Sequence, residues 1–402
     1  MRVSTAQFYL QSTQQMSQQT SDVNDQMGYL TKGKQVLTAK DDAISYGTLA
    51  GYKNDLANIE QYKRNITQAE SQNNLQEVVL SGAEDILSSI KDLMLQANNG
   101  AMSDEDLEAI AIQTRSGFEQ MLELANSQNE NGDYIFSGYN IEQKPFSQQV
   151  DGSVTYSGDT GVNQLQIAKN IDIVTNQTGD ATFLKVDNPI GDFAASYTTN
   201  TSGVALATAN ITDRNTYNTG TLPHEYTFDF DAVTNELTVT DSSSNIVFPA
   251  TAYNAGDTII FDGIDVTLSG NPLPGDSFTM TEQEDVSIFE TINNAITWLE
   301  QGVDSKELEQ HQVEYNNILN QLNESMIHIT GRRVDSGVRL QVLESQESRH
   351  LDSELNLNSS KSAIEDLDFA KAISDFEQLQ LALTASQQMF SKVQGLTLFN
   401  YI

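Results

Sequence analysis

The sequence predicts an α+β protein in which the N- and C-terminal regions form a long α-helical coiled-coil or bundle rod and a β-rich domain is inserted between them. Apolar residues at both ends step by alternating threes and fours, the mark of a helical seam. The middle carries short alternating runs punctuated by turn residues. The helical pattern at each end also runs far past the dozen or so residues of an average helix.

The first block sets Tyr9, Thr13, Met16, Thr20, Val23, Met27 and Leu30 on one stripe. Its two threonines and scarce leucines bury little, so residues 1–42 are expected to be disordered in the free monomer. Lys32-Gly33-Lys34 breaks the pattern, and Asp41-Asp42 supplies acceptors for a new helix start. From Ile59 through Tyr62, Ile66, Ala69, Asn73, Gln76, Leu80, Ala83, Leu87, Ile90 and Met94 to Ala97 the heptad never slips. No proline interrupts it, which predicts a helix roughly 80 Å long. Asn98-Asn99-Gly100 closes it, and Ser103 with Asp106 has the spacing of a capping box. Leu107, Ile110, Thr114, Phe118, Met121 and Ala125 then share a face, so a helical hairpin is expected.

From about Ile141 to Thr281 composition shifts to threonine, valine, glycine and proline. Thr227-Phe228-Asp229-Phe230 and Glu236-Leu237-Thr238-Val239-Thr240 alternate as strands, and turns recur at Asp151-Gly152, Asp262-Gly263 and Pro274-Gly275-Asp276. This stretch holds 17 acidic and four basic residues, so a negative surface is expected. Helical period resumes at Asp285, with Val286, Phe289, Ile292, Ile296 and Leu299 ending at Gly302. Ser305 opens a longer helix whose seam runs from Leu308, His311 and Tyr315 through Leu322, Ile329, Arg333, Ser336 and Leu343 to Glu347 and His350. The last seam holds Phe369, Ala372, Phe376, Leu379, Leu383, Ser386, Phe390 and Val393. An apolar tail containing Leu398 and Phe399 follows, which suggests docking.

The expected domains are 1–42 and 361–402 as terminal helical segments disordered in the monomer, 43–140 and 284–360 as the two halves of the helical rod, and 141–283 as the β insert. The candidate assembly interface is Tyr9, Met16, Val23, Met27, Leu30, Phe369, Ala372, Phe376, Leu379, Leu383, Phe390, Val393, Leu398 and Phe399. A helical stripe is more often the internal core of a monomer. Here its length and terminal position favour assembly.

The 402 residues include 21 Lys and Arg against 56 Asp and Glu, a formal net charge of −35. Such a chain repels nucleic acid and anionic membrane surfaces. No apolar run approaches a membrane span, and no signal peptide is encoded. With no cysteine there is no disulfide, thiolate nucleophile or cysteine-ligated metal. His311 and His350 lie many turns apart and read as satisfied or exposed imidazoles, not metal ligands. Asp229-Phe230-Asp231 lacks calcium-loop spacing and reads as turn chemistry. No phosphate loop, HExxH or nucleophile elbow occurs, so no enzyme activity, cofactor or metal is expected. Arg333 and Glu347 in the seam are either register-setting charges or a solvated edge.

Ala39-Lys40-Asp41-Asp42-Ala43 is similar to the N-terminal signature of the bacterial flagellin superfamily, and Ser362-Ala363-Ile364-Glu365-Asp366-Leu367-Asp368-Phe369-Ala370 to its C-terminal one. Asn131-Gly132-Asp133-Tyr134-Ile135-Phe136-Ser137-Gly138-Tyr139 resembles the hallmark of the superfamily's L-type hook-associated, hook-filament junction branch. Phe261 to Val266, Gly270 to Phe278 and the closing Leu396 to Ile402 also resemble that branch. Lys32-Gly33-Lys34-Gln35-Val36-Leu37-Thr38 departs from the Arg-Leu-Ser-Ser-Gly-Leu-Arg pattern of flagellins.

The resemblance implies a secreted structural subunit of the flagellum. Such a subunit is held by an export chaperone, exported unfolded by the type III apparatus, and assembled with copies of itself in the axial structure. It would join the first hook-filament junction protein to flagellin. Two other readings remain open: a flagellin that forms the filament itself, and a secreted binding module on a helical stalk.

Overall fold

The computed structural model describes residues 5–99, 102–302 and 308–395. Its helices are α1 (Thr5–Lys32), α2 (Ala43–Ala97), α3 (Asp104–Ala125), α4 (Arg214–Tyr217), α5 (Ile288–Gln301), α6 (Leu308–Glu365) and α7 (Phe369–Gly395). The strands are β1 (Phe146–Gln148), β2 (Val154–Tyr156), β3 (Gln164–Ala168), β4 (Ile171–Val174), β5 (Val186–Asp187), β6 (Phe193–Thr199), β7 (Ala205–Ile211), β8 (Glu225–Phe230), β9 (Glu236–Asp241), β10 (Ile246–Ala252), β11 (Thr258–Phe261), β12 (Ile264–Ser269), β13 (Ser277–Glu282) and β14 (Asp285–Val286). The chain divides into a terminal unit, residues 1–64 with 345–402, and a central unit, residues 65–344. The fold is α+β, with long helices from both ends and a β-rich middle, as the periodicity predicts.

Within the central unit the heptad seam of α2 is the core. Ile66, Ala69, Asn73, Gln76, Leu80, Ala83, Leu87, Ile90, Met94 and Ala97 are all buried. On α6 one heptad position is buried at every turn of the repeat, at Tyr315, Leu322, Ile329, Ser336 and Leu343. The Ser103–Asp106 capping box forms in full and starts α3, which buries Leu107, Ile110, Phe118 and Met121. Phe118 meets Phe289 of α5 edge to face at 5.9 Å. At about 25 cal/mol per Å² of apolar surface, each of these large side chains contributes some 2–3 kcal/mol before the entropy of ordering is counted.

The β-rich middle belongs to two cores. Phe146, Phe183 and Val186 join the helices' core together with Phe136, and Ile167 and Ile173 pack with Ile66, Ala69 and Leu343. From Ile190 to Met280 a separate apolar core lies between two antiparallel sheets, ordered β10-β9-β8-β13-β6 and β11-β12-β7. Phe228 and Phe278 stack there at 4.6 Å.

Helix was expected to resume at Asp285, but Asp285 and Val286 pair with Asp187 and Val186 as a short ladder. The helix begins at Ile288, because Ser287 caps it by accepting the Phe289 amide. The expected start at Ser305 lies outside the described residues.

Candidate assembly surface and the terminal joint

The terminal unit holds the residues singled out for assembly. Its helices α1 and α7 run antiparallel: the Tyr9 ring meets Phe390 at 5.6 Å at one end, and Gln26 Nε2 donates to the Ala372 carbonyl at 3.2 Å at the other. Tyr9, Met16, Val23 and Leu30 are half-buried, as are Phe376, Leu379, Leu383, Phe390 and Val393. Ala372 is buried, whereas Met27 is 57 % and Phe369 51 % exposed. Leu398 and Phe399 lie outside the described residues. Sequence reading missed a second set of apolar side chains on this pair, Leu10, Ile373, Leu381 and Met389, which are all exposed. They fall off the heptad seam, so periodicity gave no reason to select them.

Where α1 ends and α7 begins, the two signature runs form one joint. Gly33 takes φ +65°, the left-handed cap a helix C-terminus favours, and its amide donates to the Tyr29 carbonyl at 2.8 Å. The chain beyond it bridges to the break between α6 and α7: the Gln35 amide donates to the Glu365 carbonyl at 2.8 Å and the Leu367 amide to the Gly33 carbonyl at 3.1 Å. Asp42 caps α2 by accepting the Ile44 and Ser45 amides at 3.0 and 3.1 Å. Asp41 accepts the Thr38 amide at 2.8 Å and the Tyr29 hydroxyl at 2.8 Å. That hydroxyl, with the loop amides, holds the Asp41 carboxyl at about 2, and the shared bond pushes Tyr29 up to about 12.

Glu365 is the charged centre of the joint. Its buried carboxylate lies 2.8 Å from the Lys34 ammonium and 2.9 Å from that of Lys53. Burial pushes its carboxyl upward, but the hydrogen bonds from Lys34 and Lys53 outweigh that and hold it below the ordinary glutamate value.

The hallmark run Asn131–Tyr139 sits in the central unit and acts as a clasp. Asn129 Oδ1 accepts the Asn131 and Asp133 amides, which closes the turn. Phe136 is fully buried against Phe183 at 5.1 Å. Gly138 has φ +75°, and a Cβ there would strike Asp159, whose Oδ1 accepts the Tyr139 amide at 2.9 Å.

Between α2 and α6 the segment Val174–Thr178 replaces an apolar seam with polar bonds. Gln76 Nε2 donates to the Thr175 carbonyl at 2.7 Å, and Gln177 Nε2 to the Arg332 carbonyl and Ser336 Oγ, both at 2.9 Å. His311 stacks on Trp298 at 4.1 Å and His350 on Tyr62 at 5.6 Å, so both imidazoles pack on aromatic rings. Arg333 is ion-paired with Glu77 and Glu84 instead of lying free on a solvated edge. Glu347 is half-buried.

These features define a chain whose terminal helices meet at a hydrogen-bonded joint beside exposed apolar surface, and it is similar to bacterial flagellins and flagellar hook-associated proteins. The full-length likeness is to flagellar hook-associated protein 3. The family model of the bacterial flagellin N-terminal helical region matches residues 3–141. That of the flagellar hook-associated protein 1 D2-like domain matches residues 195–282, the separate β core. Flagellar hook-associated protein 3 of Escherichia coli is 23% identical over 399 residues, covering 99% of each chain. Flagellar hook-associated protein 3 of Legionella pneumophila superposes with a TM-score of 0.67 at 28% identity, over 78% of this chain and 98% of that one. A flagellar junction protein of the same organism gives 0.65 at 27% identity, over 80% and 100%. These relatives are structural flagellar proteins.

Proposed function

We propose that the chain is an adaptor subunit of the bacterial flagellum at the hook-filament junction, joining the preceding hook-associated protein to the flagellin filament. The observation that carries this reading is the end-to-end alignment with hook-associated protein 3. The antiparallel α1–α7 pair supports it, because its seams meet each other while Leu10, Leu381 and Met389 stay exposed for neighbours. Copies of the chain would pack through the seam residues from Tyr9 to Leu30 and from Phe369 to Val393, within the expected terminal segments 1–42 and 361–402. In a free monomer these helices bury little, so their full order would come with assembly. Export unfolded through the type III apparatus, with a chaperone on the C-terminal helix, completes the reading.

Deletion of the gene should release flagellin monomers into the medium while hooks remain. Purified chain should stay short or monomeric without its neighbours; growth of long filaments from it alone would make it a flagellin instead.

A further inference from the structure

Charge is divided unevenly along this chain. Residues 1–64 with 345–402 carry 11 basic and 14 acidic residues, whereas residues 65–344 carry 10 and 42. The near-neutral terminal unit nevertheless gathers lysines at one place. Lys32, Lys34 and Lys53 line a cavity of about 380 Å³ beside the joint. Its floor is apolar, with Val36 and Leu49 buried and Tyr46 partly exposed.

Only one carboxylate among the described residues answers these three ammoniums, that of Glu365, which pairs with Lys34 and Lys53. The neighbouring acids are committed elsewhere: Asp41 to Tyr29 and the loop amides, Asp42 to the start of α2. Lys32 is exposed, and no described carboxylate lies within ion-pair distance of it. Lys34 and Lys53 keep 43 % and 52 % of their side chains exposed. The cavity therefore presents surplus positive charge above an apolar floor, in a protein whose central unit is strongly negative. Such a place attracts a carboxylate carried on an apolar stem.

We propose that this cavity receives an aspartate or glutamate from the 65–344 unit of a second copy of the chain. The proposal rests on the reading of the chain as a subunit that assembles with itself. Charge complementarity selects the occupant. The central unit offers 42 acidic residues against 10 basic ones, so the central units of neighbouring copies repel one another, while the lysines that the near-neutral terminal unit turns outward attract them. The contact fixes how one copy registers on the next, because like charges elsewhere penalise other placements.

Zero-length carbodiimide coupling of junctions assembled from isotope-labelled and unlabelled chain, together with their flagellar neighbours, tests this. Cross-links from Lys32 or Lys53 to an acidic residue of 65–344 in a differently labelled copy are expected. Chain that enters the assembly but yields only links to its own Glu365, or links to a different protein, overturns the proposal while leaving the adaptor reading intact. Chain that never enters the assembly overturns both. Lys32→Glu should lower incorporation about tenfold, the effect of one lost interfacial charge contact, and Lys32→Arg should restore it. Equal incorporation of Lys32→Glu also overturns the proposal.

Discussion

Arg333 Nη2 lies 2.6 Å from Glu77 Oε1, joining α6 to α2 between residues 256 positions apart. Nη1 of the same guanidinium reaches Glu84 Oε2 at 2.5 Å. One planar fork therefore clamps two carboxylates two turns apart on the facing helix, a geometry that lysine cannot reproduce.

Arg333→Met should destabilise the central unit by about 1–2 kcal/mol, because the Arg333 side chain is 31 % exposed and solvent screens part of the interaction. Glu77 and Glu84 would be left as unpaired neighbours. Denaturant unfolding should show a lower midpoint, and adding Glu77→Gln to the variant should recover part of the loss. An unchanged midpoint would mean that the clamp contributes only geometry.

Seams and caps were legible in the sequence because they are local. Every predicted position of α2 from Ile66 to Ala97 is buried, and the Ser103–Asp106 box forms as its spacing suggests. What sequence could not show depends on partners hundreds of residues away. Whether Arg333 was a clamp or a solvated edge turned on Glu77, and the role of Glu365 turned on Lys34, 331 positions earlier. Asn73, Gln76 and Ser336 fit the heptad by position, yet their side-chain type had no visible reason until Val174–Thr178 was found against them. The short β5–β14 ladder escaped notice because two residues carry no periodicity.

Gly138→Ala should unfold the clasp around the hallmark run. The residue sits at φ +75°, and a Cβ would run into the Asp159 carboxylate and main chain. Backbone strain and collision together should cost about 2–4 kcal/mol. Thermal unfolding should fall by several degrees, whereas Gly132→Ala, with nothing within 4 Å of its Cβ, should cost less despite φ +89°.

The joint should loosen in acid. Glu365 is held below the ordinary glutamate value of 4.5 in the folded chain, so its stabilising contribution is complete above that pH and is lost as pH falls through the folded value. Asp41, held at about 2 against an ordinary 3.8, acts in the same direction over a lower range. Hydrogen exchange at the Gln35 and Leu367 amides should therefore accelerate below about pH 4.5 after correction for intrinsic rates, and Glu365→Gln should show the faster exchange already at neutral pH.

Phe376→Asp tests the terminal seam. The side chain is half-buried between the terminal helices, and a carboxylate there must either be desolvated or push the helices apart. Assembly and motility should be lost while the β core from Ile190 to Met280 keeps its thermal transition, because that core is built from other residues. Normal motility in this variant would remove the seam from the assembly surface.

Self-repulsion sets the condition under which copies can gather. The 65–344 unit holds 42 acidic and 10 basic residues, and stacking several such units within a few Debye lengths raises a penalty that mobile cations must screen. At about 0.01 M ionic strength the screening length is roughly 30 Å, and at about 0.15 M it shrinks to roughly 8 Å. Incorporation of the chain into junctions should therefore rise steeply between these two conditions. Sedimentation of assembled material across a salt series checks this, and replacing ten exposed acids of the central unit by their amides should flatten the dependence. A monotonic fall with salt would show instead that attraction at the lysine cavity outweighs the repulsion of the rest.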